Sequence, residues 1–377
     1  MTQKKKVVII GSAYPLRGGG ISTFNERLAN AYLERGDEVI IFTFSLQYPN
    51  FLFPGTTQYS AELPPENIDI RVRINSINPF TWVKTAIEIR HFNPDIAVVR
   101  FWIPFMAPCL GTISRIIRLK GKTRIIAITD NIIPHERRIG DFRLVQYFVN
   151  SVDGFIAMSK SVLNDLNKFD KLKPKAYHPH PLYDNFGEPI PKEEAKLKLK
   201  LSKSQHYILF FGFIRDYKGL DLLLEAFNSK RLQDLELKLL IAGEFYGNEE
   251  KYLGLINKYN LADFIELRAS FIPNTEVYLY FCACDIVVQP YKNATQSGVT
   301  QIAYHFGKPM ITTDVGGLSE VVPDGKVGYV VQPDARAIEN AIYKFYSESR
   351  EKEFIENVRT ERDRFSWSNL LDLIDRL

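Results

Sequence analysis

Two cations stand close together behind an apolar run. Phe211-Gly-Phe-Ile-Arg-Asp-Tyr-Lys-Gly219 sets Arg215 and Lys218 just after Tyr207–Phe211, which reads as a buried strand. In open α/β sheets, ligands bind at the loops leaving the carboxyl ends of strands. A cation pair there suits a leaving diphosphate, whose negative charge grows as the bond to it breaks. An exposed Arg-Asp-Tyr-Lys turn is the plainer alternative, and in either case both side chains are expected in a loop, off the apolar face of the next helix. A second phosphate-type signal is Gly18, Gly19 and Gly20, which follow the first strand-like run and precede a helix-like one. Their unhindered N–H groups and the positive end of the helix dipole would meet an anion. A glycine triplet also serves as a tight turn, and this one is not the Gly-x-Gly-x-x-Gly dinucleotide fingerprint.

Other post-strand loops add polar groups. Thr295, Gln296, Ser297 and Gly298 follow the run Asp285–Gln289 and offer hydroxyl, amide and backbone donors to phosphate or sugar oxygens. Gly212 and Glu244 lie directly behind two more strand-like runs and complete the candidate ligand-binding set in the back half. In the front half, Thr129-Asp-Asn-Ile-Ile-Pro-His-Glu136 presents Asp130 and His135; a lone histidine in a polar loop is as readily ordinary surface. No Asp-x-Asp occurs, so the chain has no such carboxylate pair to hold a diphosphate-neutralising metal, and metal independence is the expectation. Cys109, Cys282 and Cys284 lack zinc-ligand spacing and read as core.

Behind these groups, strand-like and helix-like segments alternate twice, the pattern of parallel sheets covered by helices. The first pass has strands at 7–10, 39–43, 96–99, 125–128 and 154–157, with an apolar helix face of Ile21, Phe24, Leu28, Ala31 and Tyr32. The second has strands at 207–211, 237–242, 285–289 and 310–313. Between Tyr177 and Ser204 the text turns to His-Pro-His-Pro and then to a Pro- and Lys-rich stretch, which reads as the interdomain connection. The expected division is a first domain over 1–185, a second domain over 186–358, and a last helix in 359–377 that packs back on the first domain.

At 377 residues, with 45% apolar and 24% charged residues, two ordinary globular domains are the natural reading, and disordered or fibrous classes are excluded. The basic start Met1–Lys6 is followed by an apolar run too short for an export signal, and three cysteines fit a reducing compartment, so a cytoplasmic location is expected. The net charge of +4 is uneven: residues 1–185 hold 24 Lys+Arg against 16 Asp+Glu. Arg115, Arg118, Lys120, Lys122 and Arg124 form the densest cluster, a solvated helix end or a contact to the anionic inner face of a membrane. The modest basic excess comes with no nucleic-acid motif, and no nucleic-acid partner is expected.

The order and spacing of several stretches resemble the retaining glycosyltransferase family 4 of the GT-B fold. They are Arg17-Gly-Gly-Gly-Ile-Ser, Ile156-Ala-Met-Ser159, the 211–219 loop, Leu240-Ile-Ala-Gly243, Asp285-Ile-Val-Val-Gln-Pro290, Phe306-Gly-Lys-Pro309 and Gly316-Gly-Leu-Ser-Glu-Val-Val-Pro-Asp-Gly325. The resemblance covers nearly the whole chain. It implies an α/β GT-B protein of two Rossmann-like doubly wound domains facing across a cleft, with the acceptor mainly on the first and the nucleotide mainly on the second. It further implies a nucleotide-diphosphate sugar as co-substrate, no other cofactor, a glycan or lipid-linked acceptor, and retention at the anomeric carbon, as in cell-surface polysaccharide synthesis. Glu320 matches a family position near the nucleotide and sugar. Two departures stand out. Phe213 replaces the usual arginine after the glycine, with Arg215 nearby, and Ala294 and Ile302 occupy the positions of two glutamates spaced eight apart. Gln301 is the candidate substitute for the ribose-binding member of that pair. A nucleotide-sugar epimerase of the same fold and a non-catalytic sugar-nucleotide binder are the competing readings.

Overall fold

The computed structural model describes residues 4–17, 20–49, 57–60, 63–119, 121–133, 140–294 and 296–377. Two parallel sheets organise the chain. The first contains β1 (Lys6–Ile10), β2 (Glu38–Leu46), β3 (Asp69–Asn75), β4 (Ile96–Phe101), β5 (Arg124–Thr129), β6 (Gly154–Ala157) and β7 (Lys175–Tyr177), in the order β3-β2-β1-β4-β5-β6-β7. The second contains β8 (His206–Phe211), β9 (Leu237–Ala242), β10 (Ile265–Arg268), β11 (Ile286–Gln289), β12 (Met310–Thr313) and β13 (Gly328–Val331), in the order β10-β9-β8-β11-β12-β13. Both orders reverse beside their first strand, at β1/β4 and β8/β11, and such switch points are where open α/β sheets bind ligands.

The central strands are continuous apolar text because helices cover both faces. All six residues of β4 are buried, including Arg100, and so are Val7–Ile10 of β1. The helices of the first unit include α1 (Gly20–Arg35), α2 (Pro79–Phe92), α3 (Ala107–Arg118), α4 (Asp141–Val149) and α5 (Lys160–Phe169). The apolar spacing seen in the sequence sets the inner face of α1, where Phe24, Leu28, Ala31 and Tyr32 are buried. In the second unit one core joins β8, β9, β11 and β12 to the helices Leu220–Phe227, Ala335–Ser347 and Glu351–Glu361.

The compact units are 1–179 with 367–377, and 180–366, against boundaries expected after 185 and 358. The helix Trp367–Arg376 lies in the first unit, where Trp367 packs on Phe24 with centroids 5.0 Å apart and Arg35 Nη1 bonds Asp375 at 2.8 Å. Much of the basic cluster at the end of α3 is tied internally. Arg115 stacks 3.7 Å from the Tyr147 ring centroid and donates to the Gly111 and Tyr147 carbonyls. Arg118 pairs with Asp153, Arg124 donates to the Asp375 carbonyl, and Lys120 lies outside the described residues.

Candidate active site

In the second unit, three post-strand loops are locked together at backbone level. Gly219, at φ +68°, ends the 3₁₀ turn Asp216–Lys218 and caps the helix Leu220–Phe227; a Cβ there would lie 1.9 Å from the Pro290 carbonyl oxygen. Gly243, at φ +147°, lies so close to Gly212 that a Cβ would come within 2.2 Å of the Gly212 oxygen. The loops after β8, β9 and β11 can approach this closely only with glycine at these points. Ile214 N donates to the Glu244 carbonyl (2.8 Å) and Lys292 N to the Tyr217 carbonyl (2.7 Å), which completes the frame.

The two cations sit in this frame differently from an open loop. Lys218 is buried, contrary to the expected open-loop placement, because the 3₁₀ turn folds its side chain back under the loop. Its Nζ lies 3.4 Å from the Phe211 carbonyl and 5.6 Å from the Tyr291 ring centroid, and a Cβ on Gly212 would be 2.8 Å from it. Burial, helped by the nearby positive charge of Arg215, pushes the Lys218 amine down to about 7. Arg215 stacks on Tyr246, 4.2 Å from the ring centroid, and its buried Nε has no hydrogen-bond partner among the described residues. Neither cation forms an ion pair with a carboxylate among the described residues. Asp216, between them, turns outward to Lys251 and to Lys292 at 3.5 Å.

The wall beside this turn is polar. Ser297 and Tyr291 hydroxyls lie 3.3 Å apart, and Thr300 donates to Gln289 Oε1 at 3.0 Å. Gln289 Nε2 and Gln301 Oε1 are buried without a hydrogen-bond partner among the described residues. Ala294 and Ile302, in place of two carboxylates, are both buried. Lys308 of the Phe306-Gly-Lys-Pro309 stretch serves the fold, donating to the Cys282 and Cys284 carbonyls at 3.2 and 2.8 Å.

The first unit carries a charge pair at the carboxyl end of its sheet. Arg100, at the end of β4, donates from Nε to Asp130 Oδ2 at 2.6 Å and from Nη2 to Oδ1, a fork-to-fork pair, while its guanidinium lies 3.8 Å from the Phe24 ring centroid. Both residues are buried. Asn25 donates to the Ser12 carbonyl at 2.8 Å, and Ser12 to Gln47 at 2.5 Å, in the same post-strand region.

Comparison with known proteins matches each unit to a model of one enzyme class. Residues 18–178 match "Glycosyltransferase Family 4" and residues 191–361 match "Glycosyl transferases group 1". The chain belongs to the group 1, family 4 glycosyltransferases. Among relatives of this glycosyltransferase, a D-inositol 3-phosphate glycosyltransferase of Pseudarthrobacter chlorophenolicus is 23% identical over 340 residues, covering 83% of this chain and 78% of the relative. A protein of the same name from Thermobifida fusca is 25% identical over 366 residues, covering 89% and 82%. Of the similar solved structures, sucrose-phosphate synthase from Thermosynechococcus elongatus aligns at TM-score 0.72 with 18% identity over 99% and 98% of the two chains. Anabaena Alr3699/HepE, crystallised with UDP, aligns at TM-score 0.73 with 14% identity over 99% and 100%. These alignments and the two parallel sheets show the GT-B fold of two Rossmann-like domains.

Within the glycosyltransferase, the structure brings together Arg215, Lys218 and Gly212 through one turn, and joins Glu244 to it through the Ile214 hydrogen bond. Gly298 starts the helix Gly298–His305, which also carries Gln301, with Ser297 at its cap and Gln296 just before. Glu320 lies in the short helix Leu318–Val321 behind β12. Gly20 opens α1. Gly18, Gly19, His135 and Thr295 lie outside the described residues. Asp130 is not a free carboxylate: both its oxygens are engaged by Arg100, a residue the sequence reading missed. The signal was there, since an arginine inside Ile96–Phe101 must be paired if that strand is buried.

Proposed function

We propose that this glycosyltransferase moves a sugar from a nucleoside-diphosphate sugar to a hydroxyl acceptor, glycan or lipid-linked, with retention at the anomeric carbon. The observation that carries the reading is the buried Lys218, with no carboxylate partner among the described residues, beside Arg215 in a glycine-framed turn after β8. A fold bears such uncompensated cations at a cost, and an anionic ligand offsets it. Solved structures of the same fold hold UDP, UDP-glucose or ADP, as their titles state, which supports a nucleoside diphosphate as the anion here. Charge on the departing diphosphate is greater in the transition state than in the bound donor, so preorganised cations favour the chemical step over donor binding. Lys218, Arg215 and the backbone N–H groups at Gly298 are the groups assigned to the diphosphate. Gln301 and Glu320 are assigned to the ribose and sugar. Those cations neutralise the diphosphate without a metal, so transfer survives chelation.

Thermal melting across UDP, ADP, GDP and their common sugars tests the donor, because a ligand of the native state raises stability by mass action. A shift with one nucleotide series, followed by transfer that persists in EDTA, is the expected result. Loss of transfer in EDTA restored by magnesium would overturn the charge assignment. An epimerase would convert the donor with no acceptor present, and a mere binder would shift the melt but neither transfer nor hydrolyse the sugar.

A further inference from the structure

The chain crosses between the units twice, after Pro179 and after Ser366. Within the second unit, the segments that lead to both crossings converge on one helix, Gly298–His305. Behind the first crossing, Tyr183 lies against the helix start: its Cε2 is 2.8 Å from where a Cβ on Gly298 would stand. Before the second, Phe365 packs on Tyr304 of the same helix, with ring centroids 4.6 Å apart. Leu182 N donates to the Phe365 carbonyl at 3.0 Å and joins the two segments to each other. The far end of the helix is held as well, by a hydrogen bond from His305 Nε2 to the Gly187 carbonyl at 3.0 Å.

Gly298 opens a helix and has no left-handed backbone, so its conformation does not require glycine; the approach of the Tyr183 ring does. Ser297, at the cap, gives the first N–H groups of the helix no side-chain hydrogen bond, which leaves them to an outside acceptor. Tyr183 is only 2% exposed, so an anion at this helix start meets the backbone and not the ring. What the ring fixes is where those N–H groups stand. We propose that Tyr183 is a positioning residue for the nucleoside diphosphate: its ring places the N–H groups of the first turn at Gly298, and through it diphosphate binding is coupled to both connecting segments. This rests on the assignment of that helix start to the diphosphate. Coupling travels through contiguous packed groups, and Tyr183, Leu182, Phe365 and Tyr304 form such a path on a helix whose residues Val299–Tyr304 are all buried.

The test is calorimetric titration of UDP, ADP and GDP into the full chain and its variants. Tyr183→Leu withdraws the ring and Gly298→Ala pushes against it, so each should weaken the nucleotide that the wild type binds by about tenfold. Tyr183→Phe keeps the ring and should bind like the wild type. Tyr183→Leu combined with Gly298→Ala should bind no more weakly than either alone, because leucine leaves room for the new Cβ, whereas independent sites would multiply to about a hundredfold. In hydrogen exchange, saturating nucleotide should slow the Leu182 amide in the wild type and not in Tyr183→Leu. If Tyr183→Leu fails to fold, Gly298→Ala and the wild-type exchange carry the same test. Wild-type affinity in Tyr183→Leu or Gly298→Ala, losses that multiply, or a Leu182 amide indifferent to nucleotide overturns the coupling alone. No binding of any of these nucleotides by the wild type overturns the diphosphate assignment, and the coupling with it.

Discussion

Each unit buries a cation behind a strand, but the two cations are treated in opposite ways. Arg100 in the first unit has its own carboxylate, Asp130, held at 2.6 Å, and an aromatic face beneath it. Lys218 in the second has a carbonyl at 3.4 Å, a tyrosine ring and a second cation, and no carboxylate among the described residues. A buried ion with a built-in partner is part of the fold, and removing one member leaves the other stranded. A buried ion with neither a carboxylate nor close hydrogen bonds, like Lys218 with its single carbonyl at 3.4 Å, weakens the fold until an outside anion arrives. The comparison thus separates a charge that holds structure from a charge that waits for ligand.

The largest effect expected is at the pair. Arg100→Met should destabilise the first unit by about 3–5 kcal/mol, because it takes the fork-to-fork cation away from the buried Asp130 carboxylate. Arg100→Met with Asp130→Leu should regain most of that loss. Thermal and urea unfolding of the single and double variants checks both. Equal melting for wild type and Arg100→Met would mean that the pair is not structural, and the contrast with Lys218 would collapse.

Lys218→Met reverses the pattern. It removes a desolvated charge with no carboxylate partner among the described residues, so stability should hold or rise, while kcat falls about a hundredfold, or ~3 kcal/mol of transition-state stabilisation. Lys218→Arg should restore only part of the rate, since a planar fork replaces a point charge. The wild-type stability carries the same signature in pH. The folded value is depressed to about 7 from the ordinary 10.5, so between those values the unfolded chain alone retains the proton. This group's contribution to stability therefore rises with pH across that window, and Lys218→Met should remove the rise. Steady-state kinetics and melting curves on one preparation decide the matter; unfolding of Lys218→Met with no change in kcat per folded molecule would break the account.

Arg215→Ala should cost less, about tenfold in kcat/KM or ~1.4 kcal/mol, because its guanidinium is half-buried and stacked on Tyr246 rather than held inside the frame. Asp216→Ala is the neighbouring control. Its carboxylate is exposed and faces Lys251 and Lys292, so transfer should stay near wild type.

What the sequence made legible follows the same division between buried and exposed. The strands β1, β2, β4, β5, β6, β8, β9, β11 and β12 were read from apolar runs, because a parallel strand covered on both faces must be apolar throughout. The four missed strands, β3, β7, β10 and β13, are all sheet edges. Edges carry text such as Asp69-Ile-Arg-Val-Arg-Ile-Asn75, whose arginines reach Glu88 on α2, or Ile265-Glu-Leu-Arg268, and polar residues there blunt the edge at the expense of the pattern. The glycine-framed turn of Arg215 and Lys218 was legible as a cationic loop. The burial of Lys218 was not, because it depends on Gly212 leaving room for the ammonium and on Tyr291 arriving from the loop after a different strand. From sequence Asp130 is a candidate acceptor-binding carboxylate, and its pairing is hidden there because Arg100 lies thirty residues back, inside a strand.

The most direct test is calorimetric affinity for the nucleoside diphosphate that gives the largest melting shift, measured from pH 6 to 9 on wild type and Lys218→Met. Lys218 must be protonated to meet the diphosphate, and burial holds its amine at about 7 in the free protein. Binding by the wild type should therefore take up a proton and weaken by up to about tenfold per pH unit above that value. Lys218→Met should bind more weakly with a flat profile over the same range. Identical affinities and identical pH profiles for the two proteins would contradict the assignment of this turn as the diphosphate site.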